Sequence, residues 1–171
     1  MNKKEPQVKL RAIEPEDLDL LYRIENDVKL WNVGTSNVPY SRYTLHEYVA
    51  NASDDIYTDG QVRMMIENEG GETVGIVDVV NFDPGNRRAE VGIIILDAYR
   101  RRGYGSCTLQ RIAEYALKVL HLHQLFAFVD SRNEESLKLF QKSGYQASAH
   151  IRDWLYDGID YHDAVMMQLV F

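Results

Sequence analysis

The stretch YRRRGYGSCTLQ, Tyr99–Gln110, decides how the rest of this sequence is read. Three consecutive arginines run into two glycines one residue apart, and the chain then becomes helix-friendly. The segment before it, RAEVGIIIL (Arg88–Leu96), reads as a strand. Glycines between a strand and a helix let the backbone turn tightly and approach a ligand closely. The first helical turn adds N–H groups without helical partners and the positive end of the helix dipole. Together these suit a phosphate or pyrophosphate. Two familiar phosphate loops are excluded. The dinucleotide fingerprint needs a third glycine where Thr108 stands, and the P-loop needs Gly-Lys-Ser/Thr where Gly105 is followed by Ser106 and Cys107. What remains is Arg-x-x-Gly-x-Gly, carried by Arg100, Gly103 and Gly105. The bland alternative is a surface turn with solvated arginines.

The rest of the chain is acidic, which makes this basic stretch stand out. Its 171 residues carry a formal net charge of -7, an argument against general binding to nucleic acid or anionic membrane. The same balance is compatible with a small cationic substrate. At 45% hydrophobic, the chain is expected to bury a sizeable core as one domain, residues 1–171. The single Cys107 excludes an internal disulfide and fits a reducing compartment. MNKKEPQVKLRAIEPED, at the start, holds no apolar signal core, and no later stretch is long enough to span a bilayer. A cytoplasmic location is expected.

Periodicity orders the elements around the loop. Val8 to Arg11 reads as a short first strand. Glu14-Pro15-Glu16-Asp17 opens a helix, along which Leu18, Leu21, Tyr22, Ile24 and Val28 fall at helical spacing. Ser41 opens a second helix through Tyr48, and Ser53 to Gly60 reads as a loop. Three strands follow, Gln61–Glu67, Thr73–Phe82 and Arg88–Leu96, joined by turns short enough for an antiparallel meander. The helix Gly105–Leu120 carries Leu109, Ile112, Ala113, Ala116 and Leu117 on one stripe. Leu125 to Val129 is a nearly continuous apolar strand, hence central. Asn133 caps a helix through Lys142 that Gly144 ends, and Tyr145–Tyr156 with Tyr161–Phe171 form a closing pair of strands. The class is α+β, a mostly antiparallel sheet with helices packed on it.

With these elements in place, the sequence resembles the GNAT superfamily of acyl-CoA N-acyltransferases. Arg-x-x-Gly-x-Gly stands where that superfamily has its pyrophosphate loop. LRAIEPEDLDLLYRIEND (Leu10–Asp27) is similar to the start of the branch holding ribosomal-protein N-terminal acetyltransferases and spermidine acetyltransferases. RRAEVGIIIL (Arg87–Leu96) matches the fourth strand, and NEESLKLFQKSGY (Asn133–Tyr145) the segment flanking the pantetheine arm. The resemblance implies a mixed, mostly antiparallel sheet with helices on both faces, whose fourth and fifth strands splay around the acyl thioester. It implies acetyl-CoA as cosubstrate. It puts Arg100, Arg101, Arg102, Gly103, Tyr104, Gly105 and Ser106 on the pyrophosphate loop. Ile93, Ile94 and Ile95 would pair with the pantetheine amides, with Asn133, Ser136 and Phe140 along the coenzyme arm. Asn133 also reads as a plain N-cap, and Lys138 as a solvated helix lysine rather than an adenosine contact.

An alkyl ammonium of pKa ~10.4 must lose a proton before it attacks, at a cost of about 4–5 kcal/mol at neutral pH. Glu90, on the fourth strand, is the candidate base acting through water; its alternative is an ion pair with Arg87 or Arg88. In the family a tyrosine often protonates the departing thiolate, and that register holds Phe140 here. Water, Tyr156 or Tyr161 would then supply the proton. This departure keeps open a coenzyme A-binding domain that has lost catalysis. For the acceptor, Glu25, Asp27 and Trp31 are the first candidates, then Asp54, Asp55 and Asp59, then Asp153, Asp157 and Asp160, with Trp154 a second ring for a cation. A polyamine such as spermidine is favoured over a protein N-terminus. Cys107 reads as filler rather than as an acyl carrier, and His121 and His123 lack the partners of a metal site. No metal is expected, and family analogy implies a homodimer or higher homo-oligomer.

Overall fold

The computed structural model describes residues 6–30, 38–53 and 55–171. One seven-stranded sheet organises them: β1 (Val8–Arg11), β2 (Val62–Asn68), β3 (Thr73–Asp83), β4 (Arg88–Ile95), β5 (Gln124–Asp130), β6 (Gln146–Tyr156) and β7 (Tyr161–Val170). Their order across the sheet is β1-β2-β3-β4-β5-β7-β6. Every pairing is antiparallel except β4 with β5. That parallel contact covers only Arg88–Glu90 against Gln124–Phe126. Beyond it β4 stays paired with β3 as far as Ile95, and β5 stays paired with β7 as far as Asp130. The sheet therefore splits into two halves that part above Glu90.

Strand alternation sends side chains into two cores, one on each face. On the first face α4 (Tyr104–Lys118) and α5 (Glu134–Lys142) bury Leu109, Ile112, Ala116 and Phe140 against Ile66, Val77, Ala89, Val91, Leu125 and Met167. On the other, α1 (Leu18–Glu25) and α2 (Arg42–Asn51) bury Leu21, Ile24 and Leu45 against Met65 and Ile76. Helices thus cover both faces, as expected. Among the described residues no helix is long and apolar enough to cross a membrane.

Several local expectations change. Ser53–Gly60 is not all loop: α3 (Ile56–Asp59) forms within it, because Asp55 caps the Tyr57 N–H at 3.0 Å, Ile56 is buried, and Gly60 (φ +69) ends the turn. The first helix stops at Glu25, where Asn26 turns its amide back to the Tyr22 and Tyr40 carbonyls. Val28 then falls in a 3-10 turn, exposed. Leu117 is exposed as well, and Thr108 takes the buried place on the α4 stripe by bonding its hydroxyl to the Tyr104 carbonyl at 2.8 Å. β5 alternates instead of being buried on both faces: Leu125, Ala127 and Val129 are buried, while Phe126 and Phe128 are half-buried on the other side.

The start of the chain is clamped by a polar knot. Arg11 forks onto both oxygens of Asp17 at 2.7 and 2.9 Å and donates to Glu67 and Thr73. Asp17 also accepts the Glu14 N–H at 2.9 Å. Burial pushes the Asp17 carboxyl up, but the hydrogen bonds from Arg11 and the Glu14 N–H outweigh it and hold it below the usual range. A carboxyl lowered on folding stabilises above its unfolded-state value and loses that contribution as pH falls through the folded-state value. Asp17→Ala should cost about 1–3 kcal/mol, read as a lower Tm at pH 7, and the gap to the parent should shrink in acid. An unchanged Tm at pH 7 contradicts the clamp.

Candidate active site

Two regions meet at the split in the sheet. The first is the mouth of α4. A 3-10 turn, Asp97–Tyr99, carries the chain from β4 into the arginines. Arg101 (φ +59) and Gly103 (φ +90) then adopt left-handed backbone to bring the helix in. The first α4 bond runs from the Cys107 N–H to the Gly103 carbonyl at 3.1 Å, so the N–H groups of Tyr104, Gly105 and Ser106 precede it and face out of the helix end. A Cβ on Gly105 would stand 3.0 Å from the Leu139 side chain, so the missing side chain lets α4 sit close against α5.

Each arginine has a local partner. Arg100 bonds the Ile95 carbonyl at 3.0 Å and pairs with Asp97. Arg101 reaches Glu135 at 2.7 Å, and Arg102 lies over the Tyr99 ring. The Arg101–Glu135 bridge draws in the start of α5, where Asn133 accepts the Ser136 N–H at 3.1 Å. Asn133 is thus the N-cap its position allowed. The outward N–H groups at the α4 end suit a diphosphate. Of the three isoleucines beside the loop, Ile95 has its carbonyl engaged by Arg100, and Ile93 and Ile94 lie where β5 has departed. Lys138 pairs with Glu134 at 3.2 Å on the surface, and Cys107 packs on the first core.

The second region is an open cleft of about 370 Å³ at the root of the split, on the face opposite α4. Its walls are Asn81, Asp83, Arg88, Glu90, Gln124, Phe126, Phe128, Met166 and Gln168. Glu90 sits on the last paired rung, opposite Phe126. The ion pair weighed against it does not form: Arg88 pairs with Asp83 at 3.3 Å, and Arg87 donates to the His121 carbonyl at 2.8 Å. Gln168 donates to Gln124, and Asp83 also holds Asn86. Glu90 accepts from the Asn81 amide at 2.7 Å and has no cationic partner among the described residues. From Glu90 to Ile95 is five strand residues, roughly 17 Å at about 3.3 Å each. An elongated molecule anchored at α4 can reach the carboxylate along β4.

Among the described residues, the candidate carboxylates for the acceptor do not line this cleft. Glu25 pairs with Arg63, which also holds Asp78 at 2.6 Å. Asp27 caps the Lys29 N–H at 3.0 Å and is exposed. Trp31 and Asp54 lie outside the described residues. Asp55 and Asp59 serve local bonds to Tyr57, Thr58 and Ser53. Asp157 accepts backbone N–H groups from Ile159 and Asp160 and pairs with His162, and these hold its carboxyl far below the usual range, the Asp160 N–H most of all. Trp154 does approach: its ring lies 5.5 Å from Phe128, which lies 5.7 Å from Phe126. Phe140 is buried, its ring edge-on to Tyr145 at 5.0 Å. Burial pushes the Tyr145 phenol up, and its buried hydroxyl has no hydrogen-bond partner among the described residues. Tyr156 and Tyr161 stack on each other at the exposed hairpin. Among the described residues no group of His, Cys, Asp and Glu is placed to hold a metal.

Sequence reasoning missed Asn81, Phe126, Phe128, Met166 and the two glutamines. Of these, only the apolar run at β5 left a sequence trace.

This layout is that of a group-transfer enzyme holding an elongated, phosphate-bearing donor. The sequence profile described as "Acetyltransferase (GNAT) domain" matches residues 7–146, and the chain belongs to that family. It is an acetyl-CoA-dependent N-acetyltransferase. The spermidine N(1)-acetyltransferase of Escherichia coli (strain K12) is 27% identical over 160 residues, covering 94% of this chain and 84% of that protein. The putative ribosomal N-acetyltransferase YdaF of Bacillus subtilis (strain 168) is 26% identical over 169 residues, 95% of this chain and 91% of that one. The crystal structure of spermidine N-acetyltransferase from Vibrio cholerae in complex with CoA and spermine is similar in fold, with a TM-score of 0.86 at 22% identity over 96% of this chain and 95% of that one.

Acetyl-CoA at about a hundred times its Kd should add roughly 2.7 kcal/mol. For a chain of this size that raises Tm by about 5–10 °C. Gly103→Val forces a branched residue into left-handed backbone at the phosphate loop and should lose most of the shift. No shift in the parent contradicts the α4 site.

Proposed function

We propose that this chain, as a single domain spanning residues 1–171, acetylates a primary amine, most favourably a polyamine such as spermidine, by direct transfer from acetyl-CoA. The observation that carries the reading is Glu90: a carboxylate without a cationic partner among the described residues, at the root of the sheet's split, in a cleft walled by phenyl rings. A carboxylate attracts an ammonium, and aromatic faces accommodate both a cation and an alkyl chain. The relatives' names support a polyamine, and the chain's net charge of -7 favours polycations at a distance.

Glu90 acts as base through water. The ammonium N–H passes its proton to a water, and that water passes one to the Glu90 carboxylate. Exposing the lone pair costs about 4–5 kcal/mol at neutral pH, and the carboxylate supplies a proton acceptor beside the amine. The neutral amine then attacks the thioester carbonyl from the cleft side of the split, and as the tetrahedral adduct collapses the C–S bond breaks and the nitrogen gives its second proton to water or to the departing thiolate. The departing thiol has a pKa near ~8.5 by analogy with cysteine, so it leaves as thiolate with little help. Phe140 therefore does not silence the enzyme. Self-association fits the exposed Trp154, Tyr156, Ile159 and Tyr161 on the β6–β7 hairpin.

With spermidine as acceptor, Glu90→Gln should lower kcat by about 100-fold or more. A preference for N-terminal peptides over spermidine, measured as kcat/KM at two ionic strengths, refutes the polyamine and favours the ribosomal-type alternative. Phe140→Tyr should give at most a modest gain over an active parent. A dead parent rescued by that hydroxyl shows instead that the native chain only binds coenzyme A.

A further inference from the structure

Asn81 faces the cleft only because the strand is broken there. Val80 pairs directly with Glu90 across β3 and β4, and the next pair is Asp83 with Arg88. Asn81 and Phe82 together oppose the single residue Ala89, which is a β-bulge. In an unbroken strand the residue after Val80 would point to the face away from Glu90. Instead Asn81 takes left-handed backbone, φ +49, and its Nδ2 returns to donate to Glu90 Oε2 at 2.7 Å. The direction of this bond is fixed, since a carboxylate has no proton to give and the amide NH₂ does. Glycine is the residue that fits a left-handed bulge position without strain. A side chain retained there lines the cleft and touches its one carboxylate without a cationic partner.

We propose that Asn81 is a positioning residue: the bulge exists to turn its amide onto Glu90, fixing one carboxylate oxygen so that the other meets the water that takes the amine's proton. This rests on Glu90 being the base. The amide neither gains nor loses a proton in the reaction. It withdraws Oε2 from competition and holds the carboxylate plane, leaving Oε1 to receive the proton. Asn81 itself touches neither donor nor amine in this role.

Asn81→Gly separates backbone from side chain, because glycine keeps φ +49 without cost and removes only the amide. With spermidine and acetyl-CoA as substrates, Asn81→Gly should lower kcat on the order of tenfold, the weight of one hydrogen bond to a charged group. The KM for acetyl-CoA and the Tm should stay at the parent's values. In a Glu90→Gln background the same change should cost nothing further. A merely structural role predicts the opposite pattern, with Asn81→Gly harmless and Asn81→Ala, strained at this φ, lowering the Tm. A crippled Glu90→Gln beside a fully active Asn81→Gly overturns the positioning alone. Additive losses in the double variant overturn it as well. Full activity in Glu90→Gln overturns the base, and the positioning with it.

Discussion

Arg87 ties the two halves of the sheet together at the foot of their short parallel contact, above which they part. It enters β4 in left-handed backbone, φ +54. Its carbonyl accepts the His123 N–H at 2.7 Å and the Gln124 N–H at 3.3 Å, while its guanidinium donates to the His121 carbonyl. The chain leaving α4 is thereby fixed beside the start of β4, which sets the register of Gln124 against Arg88. From that anchor each strand follows a stronger neighbour. β4 keeps its antiparallel ladder with β3, and β5 keeps its ladder with β7. Strands twist relative to their neighbours, so two ladders joined at one end diverge toward the other. Three parallel rungs are what remains of the joint.

The split turns a sheet into a passage between its faces. α4 packs on the first face and directs its N-terminus to the open end, where an anion is favoured. The cleft lies on the second face, where α1 and α2 cover β2 and β3, and no helix residue lines the walls that β3, β4, β5 and β7 build. The α4 end and the cleft therefore open on opposite faces of the sheet. Phe126 and Phe128 serve this division. They continue the apolar run of β5 on the second face, where among the described residues strand side chains line the cleft.

The parts of this arrangement that the sequence shows are those encoded locally. Gly103 and Gly105 mark the loop because only backbone without a side chain makes that turn and that helix approach. Ser41 and Asn133 mark helix starts because a short polar side chain meets an N–H three residues on, and both do so. The short α3 is encoded just as locally, by Asp55 and Gly60, but its single buried residue, Ile56, is too little periodicity to distinguish a turn of helix from a loop. The cleft is not encoded locally at all. Gln124 and Gln168 are 44 positions apart, and Asn81 reaches Glu90 only through a bulge that no composition rule signals.

Charge shows the same limit most sharply. The sequence offers many carboxylates as partners for an amine, and their one-dimensional clustering favours Glu25 with Asp27 or the aspartates of the hairpin. Pairing decides otherwise. Glu25 and Asp78 flank Arg63, whose guanidinium they hold ionised against the cost of burial. Asp157 is committed to His162 and to a turn. A carboxylate that already carries a cation attracts a second one weakly, because the summed field of the pair falls off as a dipole rather than as a charge. Glu90 escapes neutralisation because both neighbouring arginines are needed elsewhere, Arg88 by the Asp83 side of the bulge and Arg87 by the clamp on β5. The contact that joins the two halves of the sheet is thus also part of what leaves Glu90 without a cationic partner among the described residues. The fold and the charge left on Glu90 depend on the same two arginines.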